Sequence, residues 1–232
     1  MNNVPEPLLD DNFVASVSPQ YVEAYREGRI EELVYHEPYQ FAFLNDLWAP
    51  EFYRRISPVN PSLTNSYASR TGYEIDIFYE PFYCEEFVRL VYGRPFRQFL
   101  GVLVGSEIAT RPKDKYPQIR TILGGKGGMG IHDDHSAPYD GVAFFNFHDN
   151  WLPSHGGELV IWEKLDDQRY EKRFEFPPLG NSMSLMRLCP HSYHSVNNPK
   201  GNWHRTNVLV ELNFAQDTTN HSNDETPGIT KR

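Results

Sequence analysis

Gln118 to Leu123 reads QIRTIL, Val142 to His148 VAFFNFH, Glu158 to Trp162 ELVIW, Tyr170 to Phe176 YEKRFEF, Ser182 to Leu188 SMSLMRL, and His204 to Phe214 HRTNVLVELNF. Each run is short, rich in β-branched and aromatic residues, and bounded by Gly, Pro, Asn or Asp, which is the pattern of strands between turns. The last run is the most informative. Side chains alternate across a strand, so His204, Thr206, Val208, Val210, Leu212 and Phe214 share one face, while Arg205, Asn207, Leu209 and Glu211 share the other. In Tyr170 to Phe176, Glu171, Arg173 and Glu175 alternate with Tyr170, Lys172, Phe174 and Phe176, as in a half-buried or edge strand. Six closely spaced strands after a partly helical first half predict a mainly β core, a sandwich or jelly roll with helices packed on one sheet.

Outward from this core, the spacing of Tyr21, Tyr25, Ile30, Leu33 and Val34 predicts helix within Pro19 to Tyr35. Asp46 to Ile56, with Asp46 as N-cap, and Cys84 to Tyr92, stopped by Gly93, read the same way. Residues 1–12 and 215–232 are polar and poor in core formers, and read as tails. Residues 13–214 read as one domain, with a helical support region at about 13–110 and the β core at about 116–214. The high aromatic content, Phe 15, Tyr 14 and Trp 4, suits strands better than a helix bundle. A net charge of -9 argues against nucleic acid or an anionic membrane as partner. Arg111, Lys113, Lys115, Arg120 and Lys126 form the one basic cluster, read first as a solvated loop beside a strand. Two cysteines, Cys84 and Cys189, make no disulfide framework, and no secretion signal or long apolar run appears, so the expectation is a cytoplasmic protein. Oligomeric state is not legible.

Two imidazoles and one carboxylate on one face of an octahedron can hold Fe(II) and leave positions open. His132 and Asp134 are spaced i, i+2, so an extended segment would project both toward one ion and Asp133 elsewhere. With 9 His and 13 Asp in 232 residues, about 0.5 such pairs arise by chance, so the pair alone carries nothing. A third candidate, His194, is followed 11 residues later by Arg205 on the apolar strand. A guanidinium among apolar residues needs an anion, since burying it unpaired costs several kcal/mol, and its planar fork matches a carboxylate. His132 with His135 is an alternative ligand pair. His148, His155, His191 and His204 read as surface or supporting residues, Trp151, Trp162 and Trp203 as core or rim aromatics. Gly156-Gly157 reads as a turn device, because no helix with a following Lys-Ser/Thr makes it a phosphate cradle.

Taken together, His132-x-Asp134, the aromatic strand and Asp-Asn-Trp turn of Phe144 to Trp151, Gly156-Gly157-Glu158-Leu159, His194-Ser195-Val196 and Arg205 follow a known order. The segment Gln118 to Phe214 resembles the catalytic core of the prolyl-4-hydroxylase-like branch of the Fe(II)/2-oxoglutarate oxygenases. The resemblance implies a double-stranded β-helix (jelly roll, cupin-like) and implies Fe(II), with 2-oxoglutarate and O2 as co-substrates. It implies His132, Asp134 and His194 as iron ligands and Arg205 as the partner of the distal carboxylate of 2-oxoglutarate, with Asn146, Asn207 and Arg120 as further co-substrate contacts. It implies hydroxylation of a C–H bond in an amino-acid-derived or peptidyl substrate, prolyl among them, with release of succinate and CO2. A cupin-like isomerase or hydrolase using the same metal without 2-oxoglutarate is the competing reading; such an enzyme has no need of Arg205. A non-catalytic scaffold is a third, against which the intact triad speaks.

Overall fold

The structure, a computed structural model, describes residues 7–57, 67–69, 77–110, 116–148 and 150–215. Residues 1–6 and 216–232 of the expected tails, Arg111, Lys113 and Lys115 of the basic cluster, and Asp149 of the Asp-Asn-Trp turn lie outside them.

The alternation of the last strand sets the layering. In β12 (Arg205–Leu212), Val208, Val210 and Leu212 pack into one apolar core and Leu209 into a second on the opposite face. Working back along the chain, the other strands of the second half are β5 (Gln118–Ile122), β6 (Met129–His132), β7 (Gly141–Asn146), β8 (Leu159–Lys164), β9 (Tyr170–Phe176), β10 (Ser182–Arg187) and β11 (His194–Val196). The first half adds β1 (Val34–Tyr35), β2 (Phe41–Leu44), β3 (Tyr67–Ser69) and β4 (Ile77–Pro81).

These strands form two antiparallel sheets, a large one ordered β1-β2-β10-β7-β12-β5-β4-β3 and a small one ordered β6-β11-β8-β9. From β5 to β12 the chain crosses from sheet to sheet, with only β8 and β9 joined as neighbours in one sheet. That alternation is a jelly roll, and its interior is the space between the sheets. Val142, Leu159, Ile161, Met186 and Leu209 fill part of that space together with Tyr39 and Phe41. β9 occupies the edge of the small sheet, the position its alternating charges suggest.

Helices cover the outer face of the large sheet. They are α1 (Asp11–Ser16), α2 (Pro19–Arg26), α3 (Pro50–Ile56), α4 (Glu85–Val91) and α5 (Arg94–Val104). α5 is amphipathic, with Phe96, Phe99, Leu100, Leu103 and Val104 buried on one side, a proline in its first turn, and Gly105 closing it at φ 63. Trp48, Phe87 and Phe96 stack or abut Phe145 of β7, so helices and sheet share one core. Each such fully buried large side chain contributes about 1.5–3 kcal/mol relative to exposure.

The first half departs from the sequence expectation in several places. Helix within 19–35 stops at Arg26, and the chain continues through Gly28 at φ 72 and a 3-10 turn to β1. Asp46 is not a cap: it sits at φ 49, and the helix begins at Pro50 after Ala49. Gly93 ends α4 and also opens α5, where the sequence reading placed no element. The support region is also not only helical, since it supplies four of the eight strands of the large sheet.

Candidate metal centre

His132 is the last residue of β6 and His194 the first of β11, and the two are paired in register across the small sheet. Antiparallel pairing therefore sets the imidazoles side by side, ring centroids 4.2 Å apart. Asp134 does not reach them by strand pleat, as the i, i+2 argument assumed. β6 ends at His132, and Asp134 turns back from a left-handed conformation, φ 52, that Asp tolerates better than most residues. Asp133 then caps the turn by accepting the His135 N–H at 3.0 Å.

The Asp134 Oδ2 atom lies 3.7 Å from His132 Nε2 and 3.6 Å from His194 Nε2. Those separations exceed a hydrogen bond and suit three donors facing a common point; the donor atoms of the three residues lie within 4.8 Å of one another. The far side of each ring is anchored. His132 Nδ1 donates to the Gly130 carbonyl and His194 Nδ1 to the Ser192 carbonyl, both at 2.8 Å. That fixes the tautomer that leaves each Nε2 lone pair pointing at the group, the arrangement metal-binding histidines take. Two neutral donors and a carboxylate are the donor set for a divalent iron with open positions. His135 is exposed and stands outside the group, as do His148, His155, His191 and His204.

Across the interior, Arg205 is only 3% exposed. Its Nε donates to the Gly157 carbonyl at 2.8 Å, and among the described residues no carboxylate faces it. Burial pushes its pKa down to about 10. Gly156 and Gly157 are the device that seats it. Both have positive φ, 68 and 83, and a Cβ on Gly157 would meet the Trp203 ring at 2.7 Å. Behind it, Trp203 is flanked by His148 and His155, and His148 Nε2 accepts the Thr206 N–H at 2.7 Å. Burial, reinforced by the Arg205 charge, lowers the His148 pKa to about 4.

One pocket joins the two sets. It is lined by His132, Asp134 and His194, by Arg205, Asn207 and Arg120, and by the apolar Ile122, Met129, Phe144, Leu159 and Val196. The Asn207 carboxamide oxygen is buried and has no partner among the described residues. Arg120 is in register with Asn207, within hydrogen-bond distance of Gln118, and bonded to Tyr139. Asn146 is also in register with Asn207, but its amide donates to Ser182 Oγ at 3.1 Å, and it is not in the pocket lining. A buried guanidinium with no anion and a carboxamide oxygen with no partner among the described residues, both lining the pocket of a two-histidine, one-carboxylate group, fit a ligand that brings a carboxylate to Arg205 and donor atoms to a metal. Sequence reasoning missed Gly157 as the seat of Arg205, and also Met129, Tyr139 and Ser192. Their roles rest on contacts between distant segments, which spacing does not reveal.

Fold and triad together define a double-stranded β-helix protein with a site suited to iron. No protein-family model and no curated protein matches the chain. Solved structures of like fold include an oxidoreductase of the 2OG-Fe(II) oxygenase family from Burkholderia pseudomallei. It shares 17% identity, with a TM-score of 0.50 over 84% of this chain and 88% of that one. A prolyl-4-hydroxylase from Pseudomonas putida matches at 12% identity and TM-score 0.51, covering 76% of this chain and 93% of that one. A non-haem alpha-ketoglutarate-dependent carbocyclase of nogalamycin biosynthesis matches at 10% and 0.51, covering 85% and 84%. At these identities the likeness establishes the fold; among the described residues, no helix is long and apolar enough to cross a membrane.

Proposed function

We propose that the protein is an Fe(II)- and 2-oxoglutarate-dependent oxygenase that oxidises an unactivated C–H bond of an amino-acid-derived or peptidyl substrate. The carrying observation is the shared pocket: a buried guanidinium that meets no carboxylate among the described residues faces the same space as the His132, Asp134 and His194 donors.

His132, Asp134 and His194 would hold the iron, and Arg205, with Asn207 beside it, would take the distal carboxylate of 2-oxoglutarate. Iron and 2-oxoglutarate together supply O2 activation coupled to decarboxylation of the keto acid to succinate and CO2. The chain's own residues do the rest. The Gly130 and Ser192 carbonyls hold the imidazole tautomers, and the Gly157 carbonyl aims the guanidinium. Ile122, Met129, Phe144, Leu159 and Val196 keep bulk water from the pocket, where a charge-assisted carboxylate contact is strong.

A metal-dependent isomerase or hydrolase of the same fold is disfavoured by Arg205, whose burial is costly and useless without an anionic co-substrate. The names of the similar structures support oxygenase chemistry and leave the substrate open, since they span a prolyl-4-hydroxylase and a carbocyclase. A prolyl side chain is the first substrate to try.

The test is succinate release from 2-oxoglutarate with Fe(II) in air, screened against free amino acids and short prolyl peptides. The proposal expects 2-oxoglutarate turnover that a true substrate stimulates and that Asp134→Ala and Arg205→Ala abolish. Turnover indifferent to both substitutions would sink it.

A further inference from the structure

Ser192 makes no contact with the pocket, yet it touches both loops that deliver metal donors. It is fully buried, in the turn between β10 and β11. Its hydroxyl oxygen lies 2.7 Å from the Asp133 carbonyl and 2.8 Å from the Cys189 carbonyl, and it accepts the Cys189 N–H at 3.1 Å. A hydroxyl has one hydrogen to give. The Cys189 carbonyl already receives the Ser192 N–H at 3.0 Å, whereas the Asp133 carbonyl receives no backbone N–H among the described residues. The hydrogen therefore belongs to Asp133. On its other side, the Ser192 carbonyl accepts the His194 Nδ1–H.

We infer that Ser192 is a positioning residue for the metal centre, coupling the peptide that precedes Asp134 to the imidazole of His194. The inference rests on the metal reading proposed above. Its physical content is that Asp134 stands on a short turn in a left-handed conformation, φ 52, with 30% of its side chain exposed. That turn has few anchors of its own: the His135 N–H to Asp133 Oδ1 and the Ala137 N–H to the Asp134 carbonyl both lie within it. Ser192 supplies a tie from the turn to the other half of the site. Without it, the Asp134 carboxylate and the His194 ring lose their common reference, although the strands carrying the histidines remain paired through β6 and β11. Supporting residues of this kind typically change metal affinity 10- to 100-fold when removed.

Ser18 provides a matched control far from the site. Its buried hydroxyl also ties two segments together, lying within hydrogen-bond reach of the carbonyls of Asp46 and Trp48 and giving its one hydrogen to the nearer, that of Asp46. The experiment titrates the apo full chain with Co(II), read by its visible d–d spectrum, for the native protein, Ser192→Ala and Ser18→Ala, with apo melting curves alongside. The expected result is a Co(II) Kd at least about tenfold weaker and an altered d–d band shape for Ser192→Ala, with native Kd and spectrum for Ser18→Ala even where its melting temperature falls. If Ser192→Ala does not fold, Ser192→Cys replaces it, because a thiol fills the site but donates weakly. A native-like Kd at position 192, or equal weakening by Ser18→Ala, overturns the positioning role while leaving the metal site intact. Failure of the native chain to bind Co(II) overturns the metal reading itself, and the inference with it.

Discussion

Replacing Arg205 with methionine is expected to stabilise the ligand-free protein and to make it deaf to 2-oxoglutarate. The guanidinium is 3% exposed, and among the described residues its hydrogen bond is from Nε to the Gly157 carbonyl. Burial lowers its pKa from 12.5 to about 10, which corresponds to roughly 3 kcal/mol of cost for keeping it charged near neutral pH. The sign follows from linkage: the unfolded chain holds that proton more tightly than the folded one, so the charge works against folding at pH 7. Methionine removes the charge and keeps most of the volume, but it leaves the Gly157 carbonyl without its donor, a loss of about 1–3 kcal/mol. The net is a gain of about 0–2 kcal/mol, or up to about 4–8 °C in melting temperature for a chain of this size. The assay is thermal unfolding with and without 2-oxoglutarate at about 100 times its Kd, in the presence of Mn(II) to hold the site without turnover. The native protein should gain about 2.7 kcal/mol from the ligand, and Arg205→Met nothing. A variant that melts below native without ligand, or that still responds to 2-oxoglutarate, would refute the reasoning.

Other expectations follow from the same geometry. His148, with its pKa lowered to about 4 by burial and the Arg205 charge, is neutral in both states above about pH 6.5. As the pH falls, the unfolded chain protonates first, so stability should drop by about 2 kcal/mol between pH 7 and pH 5. Urea unfolding should show that slope reduced in His148→Gln. Gly157→Ala forces a Cβ at φ 83 to within 2.7 Å of the Trp203 ring and displaces the carbonyl that aims Arg205; isothermal titration should find 2-oxoglutarate binding weakened by about 10- to 100-fold while metal affinity changes much less. Phe99→Ala empties the contact of Phe99 with Phe13, Tyr25 and Phe96 and should cost about 3–5 kcal/mol in denaturant unfolding without altering metal binding.

Why some of this was legible in the sequence, and some not, is a matter of range. Arg205 on a strand of strict alternation announced itself, because a period of two assigns faces residue by residue and a lone cation among Val208, Leu209 and Val210 has no bland explanation. His132 and His194 were legible only jointly with Arg205, as members of an ordered set. β1 to β4 left little trace because two- to five-residue strands are held by partners far along the chain, such as β2 against β10, more than by their own pattern. The α5 helix was missed although its signal is local: Gly93, Pro95 and Gly105 bracket an i, i+3, i+4 series from Phe96 to Val104. The convergence of Asp134 on the histidines was expected for the wrong reason, since a left-handed turn and not a strand pleat brings it there. Gly157 acts through its own carbonyl and the Ser192 hydroxyl on the carbonyl of Asp133, and backbone partners have no sequence signature.

The central claim is that one pocket holds both the iron and 2-oxoglutarate, and its most direct test is anaerobic. Fe(II) and 2-oxoglutarate are added to the apo protein without O2, and the visible spectrum is followed for a metal-to-ligand charge-transfer band. The account predicts a band that needs both components and is absent in Asp134→Ala, with the 2-oxoglutarate concentration at half-saturation raised at least about tenfold in Arg205→Met. No band in the native protein, or a band unaffected by either substitution, contradicts it.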